Sequence, residues 1–162
     1  MKSAFLSVFY PYRGGISQYN SSLYDALKKR NDINLFNFTR QYPGILFPGS
    51  SQYVTKDDSL SFTTSKRTLD SINPISYFKT AKKISKTKPD LLLMGYWMTF
   101  LAPALGFVAK MVRRNNVKVI SILHNVKPHE KRFGDKSLSR YFLKQNDAFV
   151  VMSKAVRDDL LS

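Results

Sequence analysis

Short apolar runs and amphipathic segments alternate along almost the whole of this sequence, and few folds accommodate that order. Residues 2–10 (KSAFLSVFY) are apolar and aromatic-rich and are stopped by Pro11, which reads as a strand. Ile16, Tyr19, Leu23, Ala26 and Leu27 recur at spacings of three and four, so residues 16–30 are expected to be helical. Residues 33–38 alternate as a second strand. The turn Pro11-Tyr12-Arg13-Gly14-Gly15 joins the first strand to the helix, and the opening is therefore strand, glycine turn, helix, strand.

The pattern resumes at Asn73-Pro74, an N-capping residue followed by proline at the first helical position. Tyr77, Ala81 and Ile84 form an apolar stripe, Lys79, Lys82, Lys83 and Lys86 fall on the opposite face, and Pro89 closes the helix. Leu91–Tyr96 reads as a strand and residues 99–114 as a helix buried around most of its girth. Residues 117–123 (VKVISIL) form a β-branched strand, 135–146 a helix and 148–152 (AFVVM) a last apolar strand. Ser153 caps a helix carrying Val156, Leu160 and Leu161. Residues 39–73 show turn pairs at Pro43-Gly44 and Pro48-Gly49 and a Ser/Thr-rich stretch without period, and are assigned no element. Strands separated by helices imply an α/β, Rossmann-like, doubly wound and mainly parallel sheet, with residues 1–162 forming one domain.

Composition narrows the partners. Among 162 residues there are 26 Lys and Arg against 11 Asp and Glu, a formal charge of +15 that favours an anionic partner: nucleic acid, phospholipid headgroups or a phosphorylated substrate. The 43% hydrophobic content supplies a core and argues against disorder, and the absence of cysteine excludes a disulfide scaffold. No secretory signal pattern is legible. Residues 91–109 are uncharged and, as one helix, would reach about 28 Å, nearly enough to cross a bilayer. Gly95, Pro103 and Gly106 interrupt that run and both flanks are basic, so a strand feeding a buried helix is the preferred reading.

Two strand ends carry candidate chemistry. Unpaired N–H groups at a helix start can hold an anion, and glycine at positions 14 and 15 would let a phosphate approach the backbone. A plain tight turn explains the same pair equally well. The turn is neither a G-x-G-x-x-G fingerprint nor a Walker loop. His124-Asn125 directly follows the 117–123 strand, at a position where an imidazole can donate to a hydroxyl or phosphate. His129, Glu130, Lys131 and Arg132 lie in the next loop. The two histidines are five apart and leave a loop rather than a helix, so a metal site lacks support. Tyr96-Trp97 follows a further strand end, to stack on a sugar or simply to pack, with packing preferred for the single Trp. The lysine face of the 74–88 helix, with Lys110, Arg113, Arg114 and Lys118, suits an anionic membrane surface at roughly 1 kcal/mol per charge.

At these residues the sequence resembles the N-terminal half of glycosyltransferase family 4 enzymes, the group 1 transferases of GT-B architecture. The matching pieces are Pro11-Tyr12-Arg13-Gly14-Gly15-Ile16 entering a long helix and Pro89-Asp90 before an apolar strand. They continue with Ile122-Leu123-His124-Asn125-Val126 and with Asp147-Ala148-Phe149-Val150-Val151-Met152-Ser153 leading to Val156. The likeness covers nearly all of the chain except residues 39–73. It implies an acceptor-side domain facing a donor-binding domain across a cleft, and transfer of a sugar from a nucleotide sugar to an acceptor hydroxyl, with retention and without a metal or other cofactor.

On that resemblance Gly14 and Gly15 approach the donor diphosphate and His124 faces the transferred sugar as the catalytic residue. Arg13, Tyr96, Trp97, Asn125, His129, Glu130, Lys131 and Arg132 line the acceptor cleft, while Lys79, Lys82, Lys83 and Lys86 face a membrane. The expected partners are the nucleotide sugar and a glycan or lipid-linked acceptor of surface glycan synthesis, at the inner face of the cell membrane. The family's second domain has no counterpart in residues 1–162, which break off one short helix after a strand, so the chain alone is expected not to catalyse transfer. A basic α/β nucleic-acid-binding module is the competing expectation, without a recognition-helix, RNP or KH pattern to support it.

Overall fold

A computed structural model of the chain describes residues 1–43, 52–54, 63–126 and 134–161. Six strands, β1 (Lys2–Leu6), β2 (Asp32–Arg40), β3 (Lys66–Asp70), β4 (Leu91–Tyr96), β5 (Lys118–Leu123) and β6 (Ala148–Val151), pair in parallel in the order β3-β2-β1-β4-β5-β6. Among the described residues five helices connect or follow them: α1 (Gly15–Leu27), α2 (Pro74–Lys86), α3 (Ala102–Arg113), α4 (Asp135–Leu143) and α5 (Lys154–Leu161). All six strands end at one edge of the sheet. The order reverses between β1 and β4, where Phe5 is paired with Leu35 on one side and Leu93 on the other. Open α/β sheets bind ligands beyond the strand ends at such a reversal.

The two faces of the sheet are covered unequally. On one, α1 lays Tyr19, Leu23 and Tyr24 over Phe5, Phe9, Leu35 and Ile122. The larger core lies on the other face, where Tyr77, Ala81 and Ile84 of α2 join Ala104, Leu105, Val108, Ala109 and Val112 of α3 and Phe142 of α4. Side-chain caps hold two of the helices as the sequence indicates. Asn73 accepts from the Ile75 N–H at 3.0 Å at the start of α2, and Ser153 from the Val156 N–H at 3.2 Å at the start of α5.

The structure departs from the sequence expectations in particular places. The first strand stops at Leu6 rather than residue 10, because the Asn37 side chain bonds the main chain of Phe9 and diverts it from the sheet. A strand absent from the sequence reading, β3, lies within residues 39–73. Its KRTLD sequence buries only Leu69 among its residues and so shows no apolar run. Residues 91–109, weighed as one membrane-crossing helix, divide into β4, a 3-10 turn at Thr99–Leu101 and the start of α3. Among the described residues no helix is long and apolar enough to cross a membrane. The last strand, β6, is a half-covered edge, with Val150 46% exposed.

Candidate functional site

The segment leaving β1 is held from three sides. From α1, the amide of the buried Asn20 donates to Ser7 Oγ at 2.8 Å and to the Val8 carbonyl at 2.9 Å. From β2, the buried Asn37 accepts the Phe9 N–H at 3.3 Å and donates to the carbonyls of Phe9 and Tyr10 and to Ser65 Oγ at 3.0–3.1 Å. Residues 52–54 supply the third side: Arg13 N–H donates to the Gln52 carbonyl at 3.0 Å and Val54 N–H to the Pro11 carbonyl at 2.9 Å. Tyr12 stacks on Tyr53 with ring centroids 5.2 Å apart, and the Arg67 guanidinium lies within 6 Å of both rings. Burial pushes the Tyr12 hydroxyl up to about 12, against the opposing pull of Arg67. The segment is thereby delivered to the helix start in a defined position.

The two glycines differ in kind. Gly14 sits at φ +117°, a conformation that side chains strain to adopt, so its glycine is explained by the turn. Gly15 has ordinary backbone geometry, and a Cβ there would meet nothing within 4 Å among the described residues. Among these residues neither packing nor backbone requires a glycine at Gly15. Among the described residues no side chain caps the start of α1, unlike those of α2 and α5, and Arg13, Gly14 and Gly15 are all exposed. Four unpaired N–H groups at a helix start carry partial positive charge.

His124 follows β5 and extends its ladder, its N–H donating to the Tyr96 carbonyl at 2.9 Å. Its ring meets Tyr19 of α1 edge to face, with centroids 5.5 Å apart. The imidazole is half-buried. Among the described residues Nε2 has no hydrogen-bond partner, and burial pulls the pKa below its ordinary value, so the ring is neutral at pH 7. The glycine turn and the histidine therefore lie at the same sheet edge, joined through α1. Asn125 beside it is exposed.

Two other expected cleft residues are corrected. Tyr96 is fully buried, stacked on Phe142 at 4.2 Å with its hydroxyl 3.3 Å from Ser139 Oγ. It belongs to the core under α4, because its side chain points to the sheet face that α4 covers. Trp97 is 7% exposed, packs against Phe38 and donates its indole N–H to the Tyr42 hydroxyl at 2.6 Å, so it packs rather than stacks on a ligand. His129, Glu130, Lys131 and Arg132 lie outside the described residues. Lys79, Lys82, Lys83 and Lys86 are exposed on α2, away from the helix start at Gly15.

Sequence reasoning missed Asn20, Asn37, Ser7 and Gly95, which together shape the β1 exit. A Cβ on Gly95 would overlap Ser7 Oγ, so the absent side chain makes room for the serine that Asn20 grips. The available signal was a polar residue on an apolar track: Asn20 stands four residues after Ile16 and three before Leu23, and Asn37 lies between Phe36 and Phe38.

Comparison with known proteins bears on the fold and the family. Two of the solved structures that it matches show the shared fold. One is an alpha-glucosyltransferase in complex with UDP and a 13-mer DNA containing a central A:G mismatch, with TM-score 0.61 and 11% identity, covering 95% of this chain and 37% of that one. The other is the UDP-GlcNAc 2-epimerase of Methanocaldococcus jannaschii, with TM-score 0.60 and 13% identity, covering 99% of this chain and 42% of that one. The chain thus spans less than half the length of either structure. No curated protein sequence matches it. The sequence profile of Glycosyltransferase Family 4 matches residues 13–162, and the chain belongs to that family.

Proposed function

We propose that this chain is the acceptor-side half of a retaining GT-B glycosyltransferase, which moves a sugar from a nucleotide sugar to an acceptor hydroxyl in surface glycan synthesis. One observation carries the reading. Gly15, which neither the turn nor the packing needs, opens the uncapped start of α1 at the sheet edge where His124 stands. A missing side chain at an uncapped helix start admits a phosphate to main-chain N–H groups.

In this reading the N–H groups of the first turn of α1 receive the donor diphosphate, with the Arg13 cation beside them. Negative charge grows on the leaving diphosphate as the sugar bond breaks, and donors already aimed at that position stabilise it without reorganising. His124, neutral through burial, presents a ring nitrogen to a hydroxyl of the transferred sugar and holds the sugar in place. Asn125, exposed beside His124, lines the acceptor side. The matched solved structures are more than twice as long as this chain, and in this reading the isolated chain turns over no nucleotide sugar. The lysine face of α2 sets the chain against an anionic membrane, on its cytoplasmic side, where a lipid-linked acceptor resides.

Amide NMR of the 162-residue chain titrated with inorganic pyrophosphate and with UDP tests the site. Shifts concentrated at residues 14–17 and at His124 are expected, reduced in Gly15→Val. Shifts confined to other surfaces, or an unchanged response in a folded Gly15→Val protein, overturn the assignment. Turnover of any nucleotide sugar by the chain alone overturns the claim of inactivity.

A further inference from the structure

β2 runs on past the end of β1, and β3 lies wholly beside that extension. Leu6, the last residue of β1, is level with Phe36, and β3 pairs with β2 from Phe36 to Arg40. Arg67 stands opposite Asn37, one position beyond the end of β1. Residues paired across neighbouring strands share a face of the sheet. Asn37 turns to the β1 exit, and Arg67 follows it, its guanidinium 5.6 Å from the ring of Tyr12 and 5.8 Å from that of Tyr53. Tyr12 is three residues before Gly15, so their Cα atoms are no more than about 11 Å apart.

This cluster is built to donate. Arg67 Nε donates to the Phe38 carbonyl at 3.0 Å and Nη2 to the Thr39 carbonyl at 2.9 Å, which fixes the plane of the fork. Nη2 also reaches the Tyr12 hydroxyl at 3.5 Å, and the Tyr53 hydroxyl interacts with both groups. A phenol oxygen that accepts from a guanidinium keeps its own O–H to give away. Among the described residues no carboxylate pairs with Arg67, and Asp70, three residues on, is held by Arg40. The two carbonyl bonds would satisfy an arginine that only ties down the end of β2. The stacked tyrosines add a cationic corner in which Arg67 is exposed and Tyr53 is 44% exposed. A half-open aromatic ring beside a fixed fork suits a sugar that bears an oxyanion, with ring carbons on the tyrosine and the acid on the guanidinium.

The cluster stands apart from the places given to the donor. In the sheet order β3 lies two strands from β1 on one side, whereas β5, which leads to His124, lies two strands from it on the other. The transferred sugar beside His124 and the diphosphate at α1 are therefore not the group at Arg67. We infer that Arg67 and Tyr53 bind the carboxylate or phosphate and the ring of an acidic unit of the acceptor saccharide, removed from the hydroxyl that reacts. This rests on the transferase reading above and deepens it by giving the acceptor a negative charge.

Amide and arginine Nε NMR of the 162-residue chain, titrated with glucuronate, glucose 6-phosphate, glucose and inorganic phosphate, tests the site. An acidic sugar should shift Arg67 Nε–H and the amides of Tyr12, Arg13 and Tyr53, binding about tenfold or more tighter than glucose or inorganic phosphate. Glucuronate as the tighter ligand makes the acceptor unit a uronate, and glucose 6-phosphate makes it a phosphorylated sugar. Arg67→Gln should lower the affinity about tenfold or more, and Arg67→Lys, which keeps the charge but loses the fork, should recover only part of it. Tyr53→Leu should weaken binding while leaving the bonds of Arg67 to β2 in place, so it decides the matter if Arg67→Gln does not fold.

Glucose bound as tightly as the acids overturns the selection for charge, and inorganic phosphate bound as tightly as glucose 6-phosphate overturns the saccharide. Absence of any shift at Arg67, or an unchanged response in folded Arg67→Gln or Tyr53→Leu, overturns the site. The pyrophosphate titration reports separately. Shifts at residues 14–17 without a response at Arg67 overturn the acidic acceptor and leave the transferase reading standing. A response at Arg67 without those shifts overturns the transferase reading, and with it the role of acceptor, but not the binding of an acidic sugar.

Discussion

The ring of Tyr19 meets that of His124 edge to face, at 89° and 5.5 Å between centroids. The two side chains come from distant parts of the chain: Tyr19 lies one turn into the helix that begins at the glycine turn, and His124 ends the strand two places from β1 in the sheet. Their contact makes the helix start and the imidazole one unit. The half-buried ring owes its low basicity to burial.

Protonation of His124 is therefore expected to oppose folding. Unfolded, the imidazole takes up its proton near pH 6.5, whereas the folded ring takes it up only at lower pH. Between those values the native state binds fewer protons, so stability is full above about 6.5 and declines as the pH falls through the unfolded value. The decline ends once the folded ring protonates too. Urea unfolding of the chain and of His124→Phe between pH 5 and 8 checks this, with the variant showing a flatter dependence. An NMR titration placing His124 at or above 6.5 contradicts it.

Alanine at the two glycines should separate structure from ligand binding. Gly14→Ala is expected to cost about 1–2 kcal/mol, because the residue must hold a positive φ. Gly15→Ala meets open space and should change stability by no more than about 0.5 kcal/mol while weakening pyrophosphate binding. Thermal melts beside the NMR titration give both quantities. A Gly15→Ala protein as destabilised as Gly14→Ala would mean that position 15 is structural after all.

Gly95→Ala should be the more damaging core change despite adding one methyl. The new Cβ would overlap Ser7 Oγ and lie 3.2 Å from Ser7 Cβ, so the serine must move and its bond from Asn20 with it. Overpacking of this kind costs about 1–3 kcal/mol, which in a chain of this size lowers the melting temperature by about 2–4 °C per kcal/mol. Replacing Ser7 by Gly at the same time should recover much of the loss, and a double variant no better than the single one would show that the clash lies elsewhere.

Asn37→Ala removes the partner of two main-chain carbonyls, Ser65 and the Phe9 N–H at once. Leaving buried main-chain groups unpaired costs about 1–3 kcal/mol each where water does not replace the bond. A total loss of about 2–4 kcal/mol is expected from denaturant midpoints, with faster amide exchange at Phe9 and Tyr12. Wild-type exchange at these amides would show that Asn37 does not hold the β1 exit.

The glycine turn, the strand bearing His124, the caps at Asn73 and Ser153 and the lysine face were legible because each is written in neighbouring residues. Periodicity, turn chemistry and capping act within a helical turn or a few strand residues, and they emerge whatever the rest of the chain does. The alternation of these segments also dictated a parallel sheet, since short connections through helices leave little else. By contrast, β3 was invisible: a five-residue edge strand with a Lys, an Arg and an Asp has no local signature, and only pairing with β2 defines it.

The remainder was decided in three dimensions. Tyr96 looked like a cleft residue because it ends a strand, but which face its ring takes depends on the pairing of β4 with β1 and β5, and that face is the one under α4. Asn20 and Asn37 grip residues 12–13 and 27–28 positions away, distances at which no sequence period operates. The sequence by itself determined the elements and the chemistry offered at their ends. The parallel pairing of β1, β4 and β5 puts Gly15 and His124 at one edge, but only the packed layers decided that the imidazole is neutral there, because solvent exclusion and long-range hydrogen bonds exist only once those layers have come together.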